Sequence, residues 1–138
     1  MTRPPPSAFH RPERLVSAGG TARWPLELRL KRAEKLLEIA FDDGSHFLLP
    51  AEYLRVESPS AEVQGHGAGQ KTLVHGRAHV GIIGLEPVGN YAVRITFDDL
   101  HDTGIYSWNY LYQLGVEHKK RWRAYLDGLA AHGLSREP

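Results

Sequence analysis

Within five residues, Asp98-Asp99-Leu100-His101-Asp102 sets three carboxylates beside one imidazole. Oxygen and nitrogen donors so close together are what a hard or borderline divalent ion takes, iron or zinc among them. Asp99, His101 and Asp102 are therefore the candidate metal ligands, with Asp98 beside them. The same residue types also build turns and helix starts, where Asp102 or Thr103 would cap the helix that includes Trp108 by accepting backbone N–H bonds. Both uses stay open. The facial triad of non-haem iron oxygenases needs His-x-Asp or His-x-Glu plus a distant His. None of the eight histidines has an acid two residues on.

Other chemistry is scarcer. Gly65-His66-Gly67-Ala68-Gly69-Gln70-Lys71-Thr72 is glycine-rich, but a phosphate loop needs its last glycine directly before the lysine, and Gln70 intervenes. A mobile loop is expected, its His66 joining His75 and His79 on a rim for a peptide or ligand. His75 and His79 would share a face only on a helix, which Gly76 and the apolar run at Val80 oppose, so they read as surface or strand histidines. No nucleophile elbow surrounds Ser45, Ser58, Ser60 or Ser107, and spacing sets none of them beside a histidine. No catalytic residue is assigned. Tyr106, Trp108, Tyr110 and Tyr112 form a dense aromatic group. They supply core, with Trp108 first, or a partner surface to which Tyr106 and Tyr110 would give rigid area with a polar tip.

The elements that must position these residues follow from periodicity. Leu26, Leu28 and Leu30 alternate with Glu27 and Arg29, and Leu37, Ile39 and Phe41 alternate likewise, which predicts half-buried strands. Asp42-Asp43-Gly44-Ser45 is a turn, and His46–Leu49 returns as the partner strand. Pro50 suits a first helical turn, predicting a short helix over Ala51–Arg55. Glu57–Lys71 reads as a long loop. Val80–Leu85, a turn at Glu86–Asn90 and the alternating Tyr91, Val93, Ile95 and Phe97 predict a second hairpin. Trp108, Leu111 and Tyr112 begin a helix with Gly115 as its C-terminal cap. Trp122, Tyr125, Leu126 and Leu129 stripe another, whose basic outer face is solvated. The fold class is α+β: a small antiparallel sheet built from two β-hairpins, with a short helix and C-terminal helices. Residues 1–23, with Pro4-Pro5-Pro6 and no apolar period, read as a flexible arm, 24–133 as one domain and 134–138 as a tail.

Composition closes several functions off. The chain has 138 residues, 41% hydrophobic and 24% charged, enough for one core. Lys+Arg 17 against Asp+Glu 16 leaves a formal charge of +1, without the basic excess of a phosphate-neutralising nucleic-acid binder. No apolar run is long enough to cross a bilayer, and the N-terminus lacks the apolar stretch of a secretory signal, so a cytoplasmic location is expected. With no cysteine, disulfides, thiolate nucleophiles and sulfur ligation by the chain are excluded.

Phe47-Leu48-Leu49-Pro50-Ala51-Glu52-Tyr53-Leu54-Arg55-Val56 and His101-Asp102-Thr103-Gly104-Ile105-Tyr106-Ser107-Trp108-Asn109-Tyr110-Leu111, with the Glu86–Phe97 hairpin between them, resemble the gamma-butyrobetaine hydroxylase-like N-terminal domain family. The resemblance runs from about Trp24 to Leu129. Stand-alone bacterial members have no established activity. In eukaryotic hydroxylases a related domain precedes an iron- and 2-oxoglutarate-dependent catalytic domain, and another accompanies some iron–sulfur carrier ATPases. The resemblance also implies a structural zinc held by three cysteines and a histidine. Those positions fall here on Ser58, Ser60, Val63 and His101, so one ligand of four survives. The expectation is a non-catalytic accessory or protein-interaction module, associated with iron or iron–sulfur systems, with no resident cofactor. A protein partner or homo-oligomer is expected, and the sequence names no small-molecule ligand. The alternative is a metal-ion-binding protein built on the Asp98–Asp102 turn with His101.

Overall fold

The computed structural model describes residues 24–65, 71–102 and 104–138. The expected arm over 1–23, most of the glycine-rich segment with His66, and Thr103 lie outside the described residues. The chain order is β1 (Pro25–Lys31), β2 (Leu36–Phe41), β3 (His46–Pro50), α1 (Ala51–Val56), α2 (Ala61–Gln64), β4 (Ile82–Val88), β5 (Ala92–Phe97), β6 (Ile105–Ser107), α3 (Trp108–Val116) and α4 (His118–Ala131). The α+β class is as the periodicity implied. The two hairpins do not share a sheet. The expected strand β1 joins the first hairpin and the unexpected β6 joins the second, giving antiparallel sheets ordered β1-β2-β3 and β4-β5-β6.

The strands form where alternation demands them. In β2, Leu37, Ile39 and Phe41 are buried while their neighbours are half-exposed, the period-two pattern of a sheet with one covered face. Gly44 turns the first hairpin at φ +92°, a region that only glycine enters without a Cβ penalty. The second turn is shorter than expected, because Glu86, Pro87 and Val88 pair with Arg94, Val93 and Ala92. Pro87 is tolerated because β4 is an edge strand. Pro50 ends β3 and occupies the N-cap of α1, one position before the first turn.

One apolar core joins the sheets to α1 and α3 through Leu37, Ile39, Phe41, Leu54, Ile95 and Leu114, all at most 1% exposed. Each such side chain contributes roughly 1.5–3 kcal/mol by leaving water. A second cluster, Val56, Val63, Val74, Tyr125 and Leu129, packs α4 over the end of α1 and α2. The last five residues, expected as a tail, lie along 76–78: Gly76 and Ala78 N–H donate to the carbonyls of Ser135 and Arg136, each at 2.9 Å. Gly115 is inside α3 rather than at its cap, and Glu117 ends the helix. Among the described residues no helix is long and apolar enough to cross a membrane.

Candidate functional site

After β5 the chain turns sharply, with Leu100 at φ +70° and the Phe97 N–H donating back to the His101 carbonyl at 2.9 Å. This hairpin-like return carries the His101 ring to the segment between α1 and α2. There Ser58 and Ser60 flank Pro59, with Ser60 in extended backbone ahead of α2, and Gln64 Nε2 ties the Ser58 carbonyl at 2.8 Å. His101 Nε2 lies 3.0 Å from Ser58 Oγ and 3.4 Å from Ser60 Oγ, and the two hydroxyls are 3.2 Å apart. On its other side, His101 Nδ1 is 3.1 Å from Glu62 Oε1. A neutral imidazole facing a carboxylate through Nδ1 carries its proton there, which leaves Nε2 as an acceptor beside the serine pair, within which Ser58 Oγ donates to Ser60 Oγ. Burial first, and then the nearby Arg55 cation, hold the His101 pKa below its ordinary value.

Beside this cluster, Asp99 is clamped by two guanidiniums. Arg55 Nε donates to its Oδ2 at 2.9 Å, and Arg77 Nε pairs with the same oxygen at 2.7 Å. The other oxygen, Oδ1, accepts the His101 N–H at 3.1 Å. Burial alone would raise the Asp99 pKa. The amide bond and the Arg55 guanidinium outweigh it and hold the carboxyl low. Arg55 itself is nearly buried, and among the described residues its Nη1 has no hydrogen-bond acceptor.

The metal-ligand set expected of the turn is not brought together among the described residues. Asp99 faces arginines, Asp98 lies against Gly81, Asp102 is exposed, and only His101 faces the buried cluster. A tight turn splays consecutive side chains, so closeness in sequence did not become convergence in space. Among the described residues, no group of three His, Asp or Glu side chains is placed to hold a metal ion.

The family's four zinc positions fare differently. Ser58, Ser60 and His101 do converge, with buried Val63 one turn on. A tetrahedral zinc with ligands at ~2.0–2.3 Å holds its donors ~3.3–3.8 Å apart, whereas Ser58 Oγ and His101 Nε2 bond each other directly at 3.0 Å. Serine hydroxyls stay protonated near neutral pH, and Val63 offers no lone pair. The residues present do not fit a zinc ion.

The aromatic residues are core rather than a shared surface. Tyr106 is fully buried and donates to the Leu54 carbonyl at 2.6 Å, and Trp108 is buried, its Nε1 on the Asn90 carbonyl. Tyr110 and Tyr112 are half-buried; Tyr110 Oη donates to the Glu57 carbonyl, and Tyr112 Oη to Asp43. The tyrosines find acceptors inside the molecule, as buried hydroxyls must.

One arrangement was not legible in the sequence. Ser58, His101 and Glu62 are linked as serine, imidazole and carboxylate are in a hydrolase triad. Ser58 is nevertheless 0% exposed, its Oγ also meets Ser60 Oγ and the Ser60 N–H, and Gly104 packs over it so closely that a Cβ there would lie 2.6 Å from that oxygen. No carbonyl carbon can approach. Glu62, Arg55 and Arg77 went unread because their partners stand far off along the chain, 44 residues for Arg55 and Asp99.

The family described as gamma-butyrobetaine hydroxylase-like, N-terminal, matches residues 28–112. Two structures solved by NMR in solution are similar to this chain. One is 46% identical with a TM-score of 0.74, covering 84% of this chain and 91% of its own. The other is 47% identical with a TM-score of 0.75, covering 89% and 92%. A crystal structure of a DUF971-family protein of unknown function from Acidithiobacillus ferrooxidans is 38% identical at a TM-score of 0.55, covering 66% of this chain and 91% of that one. None of the curated proteins matches.

Proposed function

The chain belongs to the gamma-butyrobetaine hydroxylase-like N-terminal family, and from that premise we propose that it is a non-catalytic accessory module that acts by binding. One observation carries this reading. The side chains with the best catalytic credentials, Ser58, His101 and Glu62, are spent on one another, and the serine is sealed from solvent. A nucleophile must meet its substrate, and a general base must reach the proton it takes. The association with iron or iron–sulfur systems is part of the proposal and rests on the domains that accompany related chains. So does a partner protein or second copy as the thing bound.

The module works without a resident metal: the Ser58–Ser60–His101 bonds join the same two chain segments that a zinc ion would, through hydrogen bonds worth about 0.5–1.5 kcal/mol each. Two measurements on the purified chain test this. A fluorophosphonate probe should leave Ser58 unlabelled, and exhaustive chelation should leave the melting temperature unchanged. Labelling of Ser58 that is lost in His101→Ala would overturn the non-catalytic reading. One metal per chain, lost in His101→Ala, would establish the metal-binding alternative instead.

A further inference from the structure

We propose that the cavity walled by Arg55, Arg77, His75 and His101 binds a small oxyanion, the carboxylate or phosphate group of a soluble small molecule. The inference rests on the binding-module reading and names a ligand class for it. The cavity has a volume of about 300 Å³ and lies between α1, α2 and the irregular segment over 72–77. That is the lower end of the range for small-molecule sites.

Its charged walls are unequal. Arg55 is the deep one, with 10% of its side chain exposed, and Arg77 the shallow one, with 37%. Asp99 touches both: Oδ2 accepts from Arg55 Nε and stands in ion-pair contact with Arg77 Nε, which lacks an aligned hydrogen-bond acceptor among the described residues, and Oδ1 accepts the His101 amide. None of these bonds reaches Arg55 Nη1, which is buried and has no acceptor among the described residues. A desolvated guanidinium nitrogen without a partner costs free energy that water would otherwise have repaid, and in native proteins such a group calls for an ion or a water. A guanidinium presents its donors as a planar fork that matches a carboxylate or phosphate edge.

Glu62 opposes the anion. Its carboxylate lines the same cavity, pairs with His101 Nδ1 and is 66% exposed at the rim. It therefore selects against a second negative charge and favours a singly charged head group. Apolar Val63, Leu73 and Val74 complete the wall and suit a short hydrocarbon next to that head group.

The test uses the whole chain at fixed ionic strength, with acetate, butyrate and inorganic phosphate as probes and melting temperature and backbone amide NMR shifts as readouts. Saturable stabilisation by these anions is expected, with shifts centred on 72–77, Arg55 and His101. Arg77→Gln should weaken binding about tenfold, the loss of one charge-assisted hydrogen bond, and Glu62→Gln should strengthen it. Arg94→Gln, whose ion pair with Glu86 lies across the β4–β5 hairpin and outside the cavity wall, should change nothing. Butyrate should bind tighter than phosphate, because Glu62 disfavours the second charge that phosphate carries near neutral pH; the reverse order would overturn the preference for a singly charged head group. Absence of saturable binding, equal response in Arg77→Gln and Arg94→Gln, or shifts confined elsewhere would sink the proposal. These outcomes leave the sealed Ser58 untouched, so the two readings fail separately.

Discussion

His101 and His118 are both held below the ordinary histidine pKa of 6.5 by burial, His101 with the further push of Arg55. A group whose folded pKa is depressed binds fewer protons folded than unfolded. Its contribution to stability is therefore complete above pH 6.5 and is lost as pH falls through the folded values. Protonating His101 would also place a donor on Nε2, where the Ser58 and Ser60 hydroxyls now converge. The melting temperature should fall as pH drops from 7.5 to 5, and His101→Gln should melt lower than the wild type at pH 7.5 but with a shallower slope. An equal slope would show that His101 does not titrate with folding. At this scale the sequence revealed which residues bear chemistry, and hid what each one faces. His101 stood out, but its partners Ser58, Ser60 and Glu62 come from about 40 residues upstream, and no local periodicity encodes such a meeting. Gly115 shows the same limit. It read as a helix cap, yet the missing Cβ serves packing, because one there would overlap the Phe47 ring.

The helix that follows the site begins on a cap that sequence placed too early. Ser107 Oγ accepts the Tyr110 N–H at 3.1 Å, while Asp102 lies before the three-residue strand β6. The strand displaced the cap: Tyr106 and Ile105 pair with Val93 and Arg94, so the chain stays extended until Ser107. Alternation identified β1, β2 and β5, each at least six residues long with a covered face, and the turn at Asp42–Ser45 identified β3. A three-residue strand carries too few alternations to register, and α2, one turn long, fell inside an expected loop for a like reason. Since Ser107 satisfies an otherwise unpaired donor of the first turn, Ser107→Ala should cost about 1 kcal/mol, measured by urea melts. Ser107→Asp should keep most of that stability, through the same acceptor and the helix dipole. A loss no smaller in Ser107→Asp than in Ser107→Ala would mean that the hydroxyl's role is packing against β5 rather than capping.

Across the whole molecule, a residue beyond α4 reaches back over half the chain. Arg136 grips Glu52 of α1 through two bonds, Nε to Oε2 at 2.9 Å and Nη2 to Oε1 at 2.7 Å, and its guanidinium lies over the Trp122 ring of α4. Glu52 is 8% exposed at its side chain and Arg136 is 45% exposed. The two ends of this pair therefore differ in what their loss does. Removing the arginine strands a buried carboxylate, which is far costlier than the pair itself is favourable. Because the guanidinium is half in water, Arg136→Ala should cost about 2 kcal/mol rather than the 3–5 of a fully buried pair. Glu52→Gln in that background should recover part of the loss, since an amide left without its partner costs less to bury than an ion. A urea-melt double-mutant cycle decides the matter. If Arg136→Ala and the double variant lose equal stability, the carboxylate was never stranded, and the C-terminal residues hold the domain through the backbone bonds at Gly76 and Ala78 alone.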